Sequence, residues 1–161
     1  MTEINELKTK EALLEFLPVI KEAFQTVSDE FGFTPENNAG NAAFMTEKSL
    51  SALLDKSLCY GLFCEGVPSG FFALESGGND VWYLEKLSVH PSRRHEGWGR
   101  KLMDKAFLEA SVLKAKEISI GIINENSVLK KWYEDYGFRE TGLKNFPHLP
   151  FTVCFMKKPV L

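Results

Sequence analysis

The residues with the most chemical content lie together between Val89 and Lys101, reading Val-His-Pro-Ser-Arg-Arg-His-Glu-Gly-Trp-Gly-Arg-Lys. Arg93 and Arg94 precede a Gly-Trp-Gly turn, Gly97 to Gly99, and Arg100 and Lys101 follow it. Glycines leave backbone N–H groups open to a ligand. Cations at the start of a helix oppose its dipole, at a cost of roughly 0.3–1 kcal/mol each when exposed. An anion seated on the amides and neutralised by the guanidinium groups removes that conflict, so this turn is expected to hold a phosphate. A solvated basic turn with glycines kept only for tight packing is the plainer alternative. The segment has no Gly-x-x-x-x-Gly-Lys-Ser/Thr run, which excludes a P-loop, and it is one glycine short of the Rossmann fingerprint.

Other reactive side chains carry less. His90 and His95 flank the turn, and His148 sits in a loop bearing Pro and aromatic residues, Asn145 to Phe151. Cys59, Cys64 and Cys154 form no Cys-x-x-Cys pair and have no His at zinc-ligand spacing. They are expected as reduced thiols packed on strands, with no metal and no nucleophilic role.

The elements that must position the turn can be read from periodicity. Leu13, Leu14, Leu17, Ile20, Phe24 and Val27 recur at helical spacing over Glu11 to Val27, with Pro18 kinking or restarting the segment. Asp29 to Ala43 is rich in turn residues, and a second helix starts at Thr46. From Leu58 the period becomes two: Leu58 to Cys64 and Ser69 to Leu74 form a hairpin about Glu65-Gly66, and Val81 to Val89 follows. Pro91 stops that strand, and a helix over Gly97 to about Lys114 comes next. Ile118 to Ile123 is a buried strand. Asn126 or Ser127 caps a helix that ends at Gly137, and Arg139 to Leu143 pairs with Thr152 to Lys157. A strand–helix–strand crossover inside a hairpin series predicts a mixed α/β fold: a mostly antiparallel sheet with one parallel strand pair and helices on both faces.

The chain has 161 residues, about one domain's length, so residues 1–161 are expected to form a single domain. Apolar residues at 44% and charged residues at 25% exclude a disordered chain. A net charge of −3 argues against a nucleic-acid binder. No leader sequence or apolar span is visible, so a soluble, cytoplasmic protein with no membrane association is expected.

Arg94-His95-Glu96-Gly97-Trp98-Gly99 resembles the Arg/Gln-x-x-Gly-x-Gly/Ala signature of the GNAT N-acetyltransferase superfamily. It follows a strand end, Leu87 to Pro91, that is also typical of that family. Asn124-Glu125-Asn126-Ser127 and Trp132 to Phe138 are similar to its downstream Asn and Tyr-x-x-x-Gly-Phe elements. These motifs cover Leu84 to Gly142; the N-terminal half, where this family usually builds its acceptor site, carries none.

The resemblance implies transfer of an acetyl group from acetyl-CoA to the primary amine of a small-molecule or peptide acceptor. Backbone amides from Arg94 through His95, Glu96, Gly97, Trp98 and Gly99, with Arg100 beside them, would hold the pyrophosphate. Leu87, Ser88 and Val89 would pair with the pantetheine arm and offer an oxyanion donor, and Asn124 and Asn126 would contact that arm. Tyr133, four residues before Gly137, stands where the family's thiolate-protonating Tyr stands; packing against Trp132 and Tyr136 is its alternative, and Tyr136 is the fallback acid. Glu85, two residues before Leu87, shares its face in regular pleating and is the candidate base, directly or through water. A bulge would change that facing, and an ordinary surface carboxylate fits equally. Asn126 fits a helix cap as well as a ligand contact. A non-catalytic CoA-binding sensor is the competing function, and the resemblance is compatible with a homodimer. The acceptor is open: Asp29, Glu30, Glu36 and Glu75 suit cationic amines, and Phe31, Phe33 and Phe146 to Phe151 suit an aromatic pocket or a core.

Overall fold

The computed structural model describes residues 1–161. Seven strands form one sheet in the order β1-β2-β3-β4-β5-β7-β6: β1 Thr2–Glu6, β2 Ser57–Cys64, β3 Val67–Ser76, β4 Val81–Val89, β5 Glu117–Ile123, β6 Arg139–Asn145 and β7 Thr152–Pro159. Every neighbouring pair is antiparallel except β4 and β5, as the crossover predicts. Helices α1 (Lys10–Leu14), α2 (Leu17–Phe31) and α3 (Glu47–Ser51) lie toward one face, and α4 (Trp98–Val112) and α5 (Ser127–Tyr136) toward the other.

The helix boundaries follow local chemistry. Pro18 stands in the first turn of α2, where its missing N–H costs nothing, so it restarts the helix after α1. α2 runs through Phe31, beyond the expected loop start at Asp29, and stops only where Gly32 turns left-handed. Thr46 and Ser49 make a reciprocal capping box on α3. Asn126 accepts from the Leu129 amide and so caps α5. The sequence reading gave no element to the polar start of the chain. There, β1 pairs along its whole length with β2, from Thr2↔Cys64 to Glu6↔Tyr60. It is an edge strand with little to bury on either face, so it has no alternating apolar pattern to betray it.

Two apolar clusters hold the sheet from both sides. Leu62, Phe72, Leu74, Leu102, Met103, Ile118 and Met156 fill the α4–α5 side, and Leu13, Phe16, Ile20, Leu50 and Phe71 fill the α1–α3 side. Fully burying each such side chain contributes about 1.5–3 kcal/mol. With both faces anchored, the middle of the sheet can part at one end without loss of the fold. It does so between β4 and β5, which pair only at Val81↔Glu117, Trp82↔Ile118 and Tyr83↔Ser119. Beyond Tyr83, β4 runs on to Val89 with no partner on that side.

Candidate active site

The parting strands open a cleft of about 1860 Å³ that runs from the start of α4 across the sheet to α2 and the β6–β7 loop. At its first end lies the basic turn. After Pro91–Arg93, a single three-ten turn capped by His90, the chain takes left-handed conformations at His95 (φ 65°) and Gly97 (φ 85°) before α4 begins. A residue other than glycine at Gly97 would be strained whatever room it had. The consequence for hydrogen bonding is direct. None of the backbone amides from His95 through Arg100 finds an acceptor in the chain, the first helical bond being Lys101 N–H to the Gly97 carbonyl. Consecutive unbonded N–H groups at a helix start form an anion-binding nest.

The guanidinium groups divide their work. Arg93 and Arg100 line the cleft; Arg93 lies 3.9 Å from Glu96, and Arg100 sits over the Tyr136 ring. Arg94 turns away from the amides and donates to the Thr26 hydroxyl and the Ala23 carbonyl of α2, each at 2.9 Å. Half-burial lowers its pKa. His90 also reaches α2, through Glu22. The turn is therefore tied to the helix that walls the far end of the cleft.

A bulge shapes the floor. Ala73 faces Glu85 and Phe71 faces Ser88, so Lys86 and Leu87 together oppose Phe72 alone. Lys86 is left-handed (φ 57°), and the Ser88 hydroxyl donates to its carbonyl at 2.7 Å. The extra residue breaks the alternation on which Glu85 and Leu87 were expected to share a face. Leu87 and Val89 pack toward α4, whereas Glu85 follows Ala73 and Phe71 toward the α2 side. Glu85 still lines the cleft, but from the opposite face. Burial first, and then the Glu75 carboxylate, push its carboxyl above the usual range, while Lys86 and Lys56 pull it the other way.

Tyr133 is 6% exposed, held edge-on between Trp132 at 5.0 Å and Phe138 at 5.4 Å. The residue lines the cleft, and burial raises its pKa. Tyr136, the fallback, is committed elsewhere: its hydroxyl donates to Asp104 at 2.6 Å, and it does not border the cleft.

Of the residues read from sequence, Leu87, Ser88, Val89, Arg94, His95, Gly97, Trp98, Gly99, Arg100, Asn126, Tyr133 and Glu85 border the one cleft. Glu96 and Asn124 do not. Glu96 accepts from the Trp98 indole, and the Asn124 side chain accepts from Lys130 Nζ at 3.0 Å. The three cysteines are buried and unpaired; burial pushes the Cys59 thiol up to about 12. No helix is long and apolar enough to cross a membrane.

The other end of the cleft carries no motif, though Glu30, Glu36 and the Phe146 to Phe151 segment named from sequence reach it. There α2 supplies Phe24, Val27 and Glu30, the loop after it supplies Glu36 and Asn38, and the sheet supplies Tyr83, Gly121 and Phe155. The Phe33 and Phe151 rings meet at 5.4 Å, joining the end of α2 to the β6–β7 loop. A Cβ on Gly121 would meet Val153 and Phe155 at about 3.4–3.5 Å, so its absence keeps the floor low.

Residues 55–140, which contain the turn, the bulge and Tyr133, match the family described as the acetyltransferase (GNAT) domain. The chain belongs to this family and is an N-acetyltransferase of the acetyl-CoA-using kind. No curated protein matches the chain. The fold is similar to that of the PaiA N-acetyltransferase from Thermoplasma acidophilum in complex with coenzyme A, with a TM-score of 0.81, 19% identity and 99% of each chain covered. It is also similar to the Escherichia coli ribosomal-protein-S18-alanine N-acetyltransferase, with a TM-score of 0.74, 19% identity, and 99% of this chain and 94% of that one covered. An N-acetyltransferase from Staphylococcus aureus Mu50 gives a TM-score of 0.76 at 15% identity, over 100% of this chain and 99% of that one.

Proposed function

We propose that this protein transfers an acetyl group from acetyl-CoA to a primary amine by direct attack while both molecules are bound. The observation that carries the reading is the row of unbonded amides from His95 to Arg100 at the mouth of a cleft that also holds Tyr133 and Glu85. A diphosphate satisfies those donors, and Arg93 and Arg100 offset its charge. The free side of β4 from Leu84 to Val89 offers backbone groups to an extended arm, as a neighbouring strand would.

Acetyl-CoA supplies an activated acyl carbon. The residues manage protons and charge around it. A backbone N–H near the bulge stabilises the oxyanion at the carbonyl. As the C–N bond forms, the amine's proton leaves toward Glu85, directly or through water. As the C–S bond breaks, the sulfur takes a proton from Tyr133 Oη, and solvent restores both side chains. The raised pKa of Glu85 suits a group that must accept a proton near neutral pH. A Tyr hydroxyl kept protonated by burial suits a donor.

Tyr133→Phe tests the role while keeping the ring that packs edge-on against Trp132 and Phe138. Turnover is expected to fall by about 10²–10⁴-fold, with acetyl-CoA binding by calorimetry unchanged. Full turnover in the variant would remove Tyr133 from the chemistry. A wild-type chain that binds acetyl-CoA but acetylates no amine would be the sensor.

A further inference from the structure

We infer that Glu75 is a positioning residue for the transfer: it pairs with Glu85, so that the proton leaving the amine is held between the two carboxyls. The inference rests on the acetyl-transfer reading and deepens its account of the base.

The register of the sheet brings the two side chains together. Ala73 stands opposite Glu85 and Glu75 opposite Tyr83, so Glu75 and Glu85 are diagonal neighbours on one face. Such neighbours lie about 7–8 Å apart, which two glutamate side chains span. Their carboxyls are within hydrogen-bonding reach, a contact that binds only with a proton between them. Glu75, one of the carboxylates that suit a cationic amine by type, does not border the cleft, whereas Glu85 does. It is held instead from β2. Lys56 lies 3.8 Å from it, and Ser57, 9% exposed, stands directly opposite with a hydroxyl that has no partner in the chain. A buried hydroxyl left unpaired is costly, and beside a carboxylate it has a donor to give through one water. Glu75 is thus placed to act on the base and not on the amine. The charged groups that act on Glu85 are Glu75 from β3, Lys86 beside it and Lys56 before β2; the helices packed on this face contribute none of them.

While both carboxyls are ionised they repel one another. As the C–N bond forms, the N–H bond breaks, its electron pair stays on nitrogen, and the proton passes to a Glu85 oxygen, directly or through water. Glu85 then donates to Glu75, and the repulsion is replaced by a charge-assisted hydrogen bond. That bond exists only once the proton moves, so it favours the transition state over the ground state. Solvent takes the proton afterwards from the partly exposed Glu75.

The test compares Glu75→Gln, which keeps the shape, and Glu75→Ala with the wild type. Carbon-13 NMR of the glutamate carboxyls, assigned with Glu85→Gln, follows the Glu85 titration. Transfer from saturating acetyl-CoA is measured against pH with 1-aminobutane, 2-phenylethylamine and a short peptide with a free N-terminus, and the fastest is used. In both variants the Glu85 titration and the acid limb of kcat are expected to move together to lower pH. Plateau kcat should fall about 10–100-fold with KM for acetyl-CoA unchanged. Thermal shift with acetyl-CoA reports that each variant is folded. A Glu85 titration or an acid limb that stays in place, or a rise in KM for acetyl-CoA with kcat intact, would overturn the inference. An acid limb in Glu85→Gln identical to that of the wild type would instead remove Glu85 as the base. A chain that binds acetyl-CoA but acetylates none of the three amines would overturn the acetyl-transfer reading itself.

Discussion

Glu85 shows how one side chain carries both function and cost. Its carboxyl lies against the Glu75 carboxylate, which in turn is 3.8 Å from Lys56. Its pKa is higher folded than unfolded, so the stability this group contributes is full below the ordinary carboxylate range and is lost as pH rises through the raised value. Glu85→Gln removes that loss. The variant is therefore expected to melt above the wild type at pH 7–8, with the gap closing toward pH 4, while its turnover falls. Each 1 kcal/mol of gain reads as roughly 2–4 °C for a chain of this size. A variant that melts lower at pH 8 would contradict the assignment of strain to this carboxylate. Sequence alone placed Glu85 near the reaction for a reason that did not survive, since regular pleating would have set it beside Leu87. The bulge that moves it depends on Lys86 holding a left-handed conformation, with the Ser88 hydroxyl bonded to its carbonyl. A lysine at that position gives no hint of such geometry.

At the scale of elements, the phosphate turn was readable because a strand stop, arginines, a Gly-x-Gly pair and an amphipathic run are all local features. What the turn touches was not. Arg94 bonds to residues 68 and 71 positions away, on α2, and His90 reaches Glu22 of the same helix. Likewise Phe33 and Phe151 meet only because the fold brings two loops together. No periodicity encodes either contact, and β1 escaped notice because an exposed edge strand needs no apolar alternation. The Arg94 bonds couple the two ends of the cleft. Arg94→Met keeps the aliphatic stem and removes both bonds, and a charge-assisted bond is worth about 1.5–3 kcal/mol. The variant is expected to lose several degrees in Tm and to show KM for acetyl-CoA raised about tenfold, with KM for the amine raised too. A change confined to acetyl-CoA would mean that α2 does not respond to the turn.

For the whole molecule, two anchored cores leave the cleft mouth with a row of backbone amides, His95 to Arg100, that has no acceptor. A ligand that fills it should stabilise the entire chain by mass action. At one hundred times its Kd, acetyl-CoA is expected to contribute about 2.7 kcal/mol, or roughly 5–10 °C in Tm. An unchanged Tm at saturating acetyl-CoA would count against the site as drawn. The parted strands carry one more implication. A strand flank without a partner normally sits at the rim of a sheet, where it invites pairing with other chains and has to be blunted by charge or proline. Here the bare flank of β4 lies inside the sheet, guarded by β3 behind it and β5 across the gap. The protein thus keeps a template for strand addition permanently available, yet recessed where another polypeptide would find it hard to dock, and a slender, flexible guest has the advantage.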